Sequence, residues 1–284
     1  MRPSTNIVAP HGKVRLIALD MDRTALTNDY RVLPDVADAV AHALNDGVMV
    51  VPSTARSPQA LRPYADRLGI SGVCVCFNGA WTGKLCGQGA VHCQTMNPQS
   101  AIRVVTAAGM AGFNPVWFTT EGSFALSDGP LVDREALATG IRPRIAAGGV
   151  SDDGPVMKIL CLDPRGGSEM DDLIRCFSGE FQFAFSDCHL LEINAHGVSK
   201  QTAIARLCNQ LQISAEEVCA IGDSENDLQL LNWAGTAIAM GNATPALKEI
   251  ADWVSTTNED AGAAAAIRRV LARDSDYAHQ EPTA

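Results

Sequence analysis

The stretch Val14–Leu26 reads V-R-L-I-A-L-D-M-D-R-T-A-L. A near-continuous apolar run, Val14–Leu19, stops at two aspartates one residue apart, Asp20 and Asp22, followed by Arg23 and Thr24. Such a run suits a strand buried on both faces, as in a parallel sheet covered by helices. Alternate residues of an extended chain point the same way, so Asp20 and Asp22 reach one site at the strand's end. Two like charges that close repel one another. A divalent cation resolves the conflict, and Mg2+ suits a small set of hard carboxylate oxygens.

The following segments keep an α/β rhythm. Pro34 fits the first turn of a helix whose Val36, Val40 and Leu44 form one stripe, with Gly47 as its stop. Val48–Val51 reads as a second strand, Ser57-Pro58 opens a helix with Leu61, Tyr64 and Leu68 inward, and Gly72–Phe77 reads as a third strand. This β-α-β-α-β order predicts a three-layer α/β/α core around a doubly wound, mainly parallel sheet. From about Gly83 to Ala195 the pattern changes to short strand candidates at 90–94, 115–118, 156–161 and 190–193, with helical patterns near 100–111 and 169–177. Gly- and Pro-rich breaks, notably 146–155, mark it as a separate α+β domain inserted into the first. After Gly197 the first rhythm returns, with a helix carrying Ile204, Leu207 and Leu211, strands Val218–Ile221 and Thr236–Met240, and an alanine-rich helix over Gly262–Arg273. The expected division is a loose leader (1–13), a core (14–82 and 196–273), an inserted domain (83–195) and a loose tail (274–284).

Composition narrows the function. The 284 residues are 46% hydrophobic and 19% charged, an ordinary globular balance, with 22 basic against 32 acidic residues and a net charge of −10. No basic stripe is present, so nucleic acid is not the expected partner. No apolar run reaches the roughly 18–20 residues of a membrane span. The nine cysteines contain no C-x-x-C pair, and Cys74, Cys76, Cys161, Cys208 and Cys219 lie in apolar segments. They read as reduced, buried thiols, which points to the cytoplasm.

In an open parallel sheet, ligands bind beyond the carboxyl ends of the strands. Asp20 and Asp22 end the first strand, Ser53-Thr54-Ala55-Arg56 ends the second, and Gly222-Asp223-Ser224-Glu225-Asn226-Asp227 ends the strand after the insertion. Lys200 opens the helix just before that strand. Each residue type fits a part of phosphoryl transfer. A carboxylate attacks phosphorus, a second moves the proton, hydroxyl and backbone N–H groups hold phosphoryl oxygens, and a lysine neutralises charge.

These motifs resemble the Cof-type branch of the haloacid dehalogenase-like phosphatases, which carries D-x-D-G-T, T-G-R, a lysine and G-D-x-x-N-D. The resemblance spans roughly Val14–Ala80 and Gly197–Ile267, and is only architectural in the insertion. It implies a Mg2+-dependent phosphatase acting on a small phosphorylated metabolite, phosphosugar-like, beneath an α+β cap. It assigns Asp20 as nucleophile and metal ligand, and Asp22 as general acid/base with its carbonyl on the metal. Met21, Thr54, Ala55, Lys200 and Asn226 would hold phosphate, Asp223 would bind metal, and Asp227 would orient Lys200 or a metal-bound water. Arg23, Arg56, Glu192 and His196 are candidate substrate contacts. A phosphomutase shares this core, and a non-catalytic phospholigand-binding protein is the reading from another class. The chain departs from the branch at Arg23 and Ala55, each in place of glycine. Arg23 adds a cation beside the site, and Ala55 disfavours a left-handed turn.

Overall fold

The computed structural model describes residues 13–86, 89–119, 121–151, 154–163, 165, 170–187 and 189–278. The expected leader, apart from Lys13, and the end of the expected tail lie outside these residues. The apolar run forms β1 (Leu16–Leu19), with all four residues buried. Helix α1 (Pro34–Asn45) starts with proline in its first turn and buries Val36, Ala39, Val40 and Ala43. Gly47, at φ 77°, lets the chain turn back into β2 (Met49–Pro52). Next come α2 (Pro58–Arg67) and β3 (Val73–Cys76).

The insertion supplies β4 (Trp81–Lys84), β5 (Ala90–Cys93), α3 (Pro98–Met110), β6 (Asn114–Thr119), β7 (Gly122–Ala125), α4 (Pro130–Thr139) and β8 (Arg144–Ile145). It continues through β9 (Lys158–Leu162), α5 (Met170–Cys176), β10 (Phe181–Asp187) and β11 (Leu190–Ala195). The chain then forms α6 (Lys200–Leu211), β12 (Val218–Gly222), α7 (Leu228–Trp233), β13 (Thr236–Ala239), α8 (Pro245–Ile250), β14 (Trp253–Val254) and α9 (Gly262–Ala278).

Two compact units result, one from 13–54, 63–74 and 200–278, the other from 55–62 and 75–199. Residues 55–62, 75–82 and 196–199, expected in the core, thus pack with the insertion. In the first unit five strands run in the order β14-β13-β12-β1-β2, every neighbour parallel. Helix α1 packs on α9, and α7 on α6 and α8. The chain leaves β1 toward β2 on one side and reaches β12 on the other. The carboxyl ends of β1 and β12 are therefore a topological switch point, where open sheets place their sites.

Two expectations change. Strand β3 joins a small sheet in the order β3-β4-β5 and does not extend the five-stranded one. Left-handed backbone at Phe77 (φ 51°) and Asn78 (φ 56°), then Gly79 (φ 109°), turns the chain into β4. Helix α9 also continues past Arg273 to Ala278. Asp274 is buried there and accepts the Val14 N–H at 2.7 Å, so the expected tail begins as packed helix.

The second unit holds a six-stranded sheet in the order β10-β11-β9-β6-β7-β8. Trp117, Ile159, Cys161, Leu191 and Ile193 share a core with Val104 and Ala108 of α3 and Leu173 of α5. The alternate residues Lys158, Glu192 and Asn194 are buried as well. None of the eight described cysteines forms a disulfide; five are buried and three are exposed. No described helix is long and apolar enough to cross a membrane.

Candidate active site

The site grows from the ends of β1 and β12. Asp20 follows β1 and donates its N–H to the Ile221 carbonyl at 3.0 Å, which ties it to β12. The next residues make a tight loop, closed by the Leu26 N–H on the Met21 carbonyl at 2.8 Å. Inside it, Arg23 takes a left-handed conformation (φ 58°, ψ 15°). Among the described residues that are not glycine, only Arg23, Tyr30, Phe77, Asn78, Gln212 and Ala261 have positive φ. Ala55 is not among them, so its turn does not require the glycine of the resembling branch.

Lys200 is the first residue of α6 and is buried. Its Nζ lies 2.6 Å from Asp20 Oδ1 and 2.7 Å from Asp227 Oδ1. The other oxygen of Asp227 accepts the N–H groups of Asp223 and Ser224 at 3.1 and 3.2 Å. Gly222 makes this possible: a Cβ there would lie 2.4 Å from Asp227 Cγ. Asp223 completes the cluster. Asp20, Asp223 and Asp227 each offer a carboxylate oxygen within 4.8 Å of the others, and all three are buried.

Burial sets the electrostatics. Desolvation pushes Asp20 up to about 7; Lys200 opposes this, while Asp227 and Asp22 add to it. Desolvation, then Asp20 and Asp227, push Asp223 up to about 8 against the pull of Arg23 and Lys200. Burial works against the Lys200 ammonium, but Asp20 and Asp227 outweigh it and raise its pKa. Both partners of the Lys200–Asp20 pair rise: the aspartate because burial, helped by the neighbouring carboxylates, outweighs the one ammonium, and the lysine because it faces two carboxylates. The buried cluster lacks positive charge, and a hard divalent cation fits that deficit and the all-oxygen donor set.

The remaining candidates divide between the units. Asp22 is half-buried, and Thr54, just past β2, is fully buried. Asn226 is half-buried, its Oδ1 accepting from Ser224 Oγ at 2.9 Å. Ala55, Arg56, Glu192 and His196 belong to the second unit. There Arg56 donates to the Ala138 carbonyl at 2.7 Å. Glu192 pairs with Lys158 at 2.7 Å, and Lys158 also donates to the Ala55 carbonyl at 2.9 Å. His196 is exposed, and its carbonyl accepts from Gln94.

Asn242 carries a role that the motif reading left unassigned. Its Nδ2 donates to the Arg23 carbonyl at 2.8 Å and lies 3.5 Å from Asp223 Oδ2. Its place after β13, in Gly241-Asn242, is the available signal: it follows the same strand-end grammar as Gly222-Asp223.

A parallel sheet with an acidic cluster and a buried lysine at its switch point defines a phosphoryl-transfer class of core. The sequence profile of the haloacid dehalogenase-like hydrolases matches residues 17–267, and the chain belongs to that family. A 5-amino-6-(5-phospho-D-ribitylamino)uracil phosphatase of Bacillus subtilis, YcsE, is 30% identical over 261 residues, 90% of this chain and 95% of its own. An HMP-PP phosphatase of Yersinia enterocolitica is 26% identical over 246 residues, 83% of this chain and 86% of its own. A solved haloacid dehalogenase-like hydrolase from B. subtilis superposes with a TM-score of 0.80 at 26% identity, covering 90% of this chain and 99% of that one. The protein is an enzyme of the phosphatase class.

Proposed function

We propose that the protein hydrolyses a small phosphomonoester, phosphosugar-like, with Mg2+ and through an aspartyl-phosphate on Asp20. The observation that carries this reading is the Lys200 ammonium bridging Asp20 and Asp227 at 2.6 and 2.7 Å, with Asp223 beside them. Lys200 holds one oxygen of Asp20 and leaves the other to attack. A carboxylate oxygen of Asp20 forms a bond to phosphorus as the bond to the leaving oxygen breaks, and Asp22 gives that oxygen its proton. Asp22 then takes a proton from the water that attacks phosphorus, which frees inorganic phosphate and restores Asp20. Thr54, Lys200, Asn226 and the N–H groups of Met21 and Ala55 hold phosphoryl oxygens. Asp20, Asp223 and the Asp22 carbonyl would hold Mg2+, with Asp227 orienting Lys200. When bound, the ion neutralises charge that the carboxylates and phosphate would otherwise set against one another.

The phosphosugar-like substrate is supported by the name of YcsE, a phosphatase of a phosphorylated ribityl compound. Purified protein assayed against phosphomonoesters, with and without Mg2+, tests the reading. We expect Mg2+-dependent phosphate release, lost in a folded Asp20→Asn variant. No release from any ester at micromolar enzyme would favour a phospholigand-binding protein.

A further inference from the structure

The structure assigns Arg23 a role in setting the charge balance of the site: it weakens metal binding at Asp223 and strengthens the binding of phosphate. This rests on the Mg2+ site proposed above. The guanidinium Nε lies 3.7 Å from Asp223 Oδ2, on a side chain 52% exposed. The fold fixes the backbone from which it reaches Asp223. Asn242 holds the Arg23 carbonyl, and the Asn258 N–H holds Asn242 Oδ1 at 3.0 Å. Asn258 Nδ2 in turn grips the Leu26 carbonyl at 3.0 Å and Asn28 Oδ1 at 3.2 Å. Two asparagines thus clamp the loop at Arg23 and Leu26. A left-handed arginine is costly, and it persists only where surrounding contacts over-determine it.

The charges give the sign. Three buried carboxylates face one buried ammonium, and Arg23 adds a second cation at Asp223. A metal ion must share Asp223 with that guanidinium, so it binds less tightly than it would without it. Once the metal is in place, the same guanidinium adds to the positive charge that meets a phosphate dianion. Half exposure screens the effect, so each side amounts to about fivefold at low salt.

Isothermal titration of the metal-free full-length protein with MgCl2, and inhibition by orthophosphate at saturating Mg2+, read the two sides separately. Arg23→Met should tighten Mg2+ about fivefold and weaken orthophosphate by about the same factor, both shrinking as salt rises. Arg23→Lys should stay close to the parent. Arg23→Gly, which removes the backbone strain as well, should match Arg23→Met. A merely structural role would move both constants in one direction, and that result, or no change in either, overturns the inference. A parent that binds no Mg2+ overturns the metal-site reading itself, and this inference with it.

Discussion

Replacing Gly222 with alanine tests the core of the site through a single methyl group. A Cβ at that position would sit 2.4 Å from Asp227 Cγ, 2.5 Å from its Oδ2 and 2.7 Å from its Cβ. Ordinary van der Waals contact is 3.4–4 Å, so the Asp227 carboxylate must retreat by about 1 Å. It has nowhere to go without losing partners: Lys200 at 2.7 Å and the N–H groups of Asp223 and Ser224 at 3.1 and 3.2 Å. Hydrogen bonds to a charged group contribute about 1.5–3 kcal/mol each, and misaligning a buried charge costs about 3–5 kcal/mol in all. We expect Gly222→Ala to lower Tm by about 10 °C. With Lys200 no longer held from two sides, kcat/KM should fall about 100-fold. Differential scanning calorimetry and steady-state phosphate release read the two effects. A double-mutant cycle isolates the cause: in an Asp227→Gly background all three of those Asp227 atoms are gone, and the added methyl group should cost much less. A Gly222→Ala protein within 2 °C and threefold of the parent would refute the steric argument.

Three further outcomes follow from the same geometry. Lys200→Met leaves Asp20, Asp223 and Asp227 buried without their ammonium and should destabilise the metal-free protein by about 3–5 kcal/mol in calorimetry, a loss that added Mg2+ partly reverses. The metal-free protein should lose stability as pH rises from about 4 to 8, because Asp20 and Asp223, raised to about 7 and 8, hold protons in the folded state that the unfolded chain has released. The raised Lys200 stays charged throughout that window, so it adds no slope, and the Tm gain from Mg2+ should grow over the same interval; a gain independent of pH would contradict it. In the second unit, Lys158→Met should destabilise by about 3–5 kcal/mol because it strands the buried Glu192, whereas Lys158→Met with Glu192→Leu should recover most of that loss in thermal melts.

The parallel core was legible because its strands are short, apolar and buried on both faces, and each ends in polar residues. Val14–Leu19 and Val218–Ile221 announce both strand and site. Strand β10, F-Q-F-A-F-S-D, carries a plain alternating pattern as well. Helix α4 was harder to see, since Val132 is its one residue recorded as buried and no apolar stripe forms. The placement of β3 depended on two consecutive left-handed residues, Phe77 and Asn78, neither a glycine. Asp20, Lys200, Asp223 and Asp227 could be named from motif order, because strand ends bring distant residues together. The roles of Gly222 and Asn242 could not, because each depends on an approach of a few ångströms that spacing does not encode. The contacts that Arg56 makes with the Ala138 carbonyl and Glu192 with Lys158 are likewise matters of close approach that spacing does not encode.

Asp22→Asn with 4-nitrophenyl phosphate asks whether Asp20 carries the phosphoryl group. Nitrophenolate needs no proton to leave, so the first transfer proceeds, while the water step lacks its base and slows. With Mg2+ present, we expect a burst of about one nitrophenolate per site, with mass spectrometry of the quenched protein placing the phosphoryl group on Asp20. Turnover by the parent, with no burst in Asp22→Asn and the phosphoryl group on another residue or on none, would contradict it.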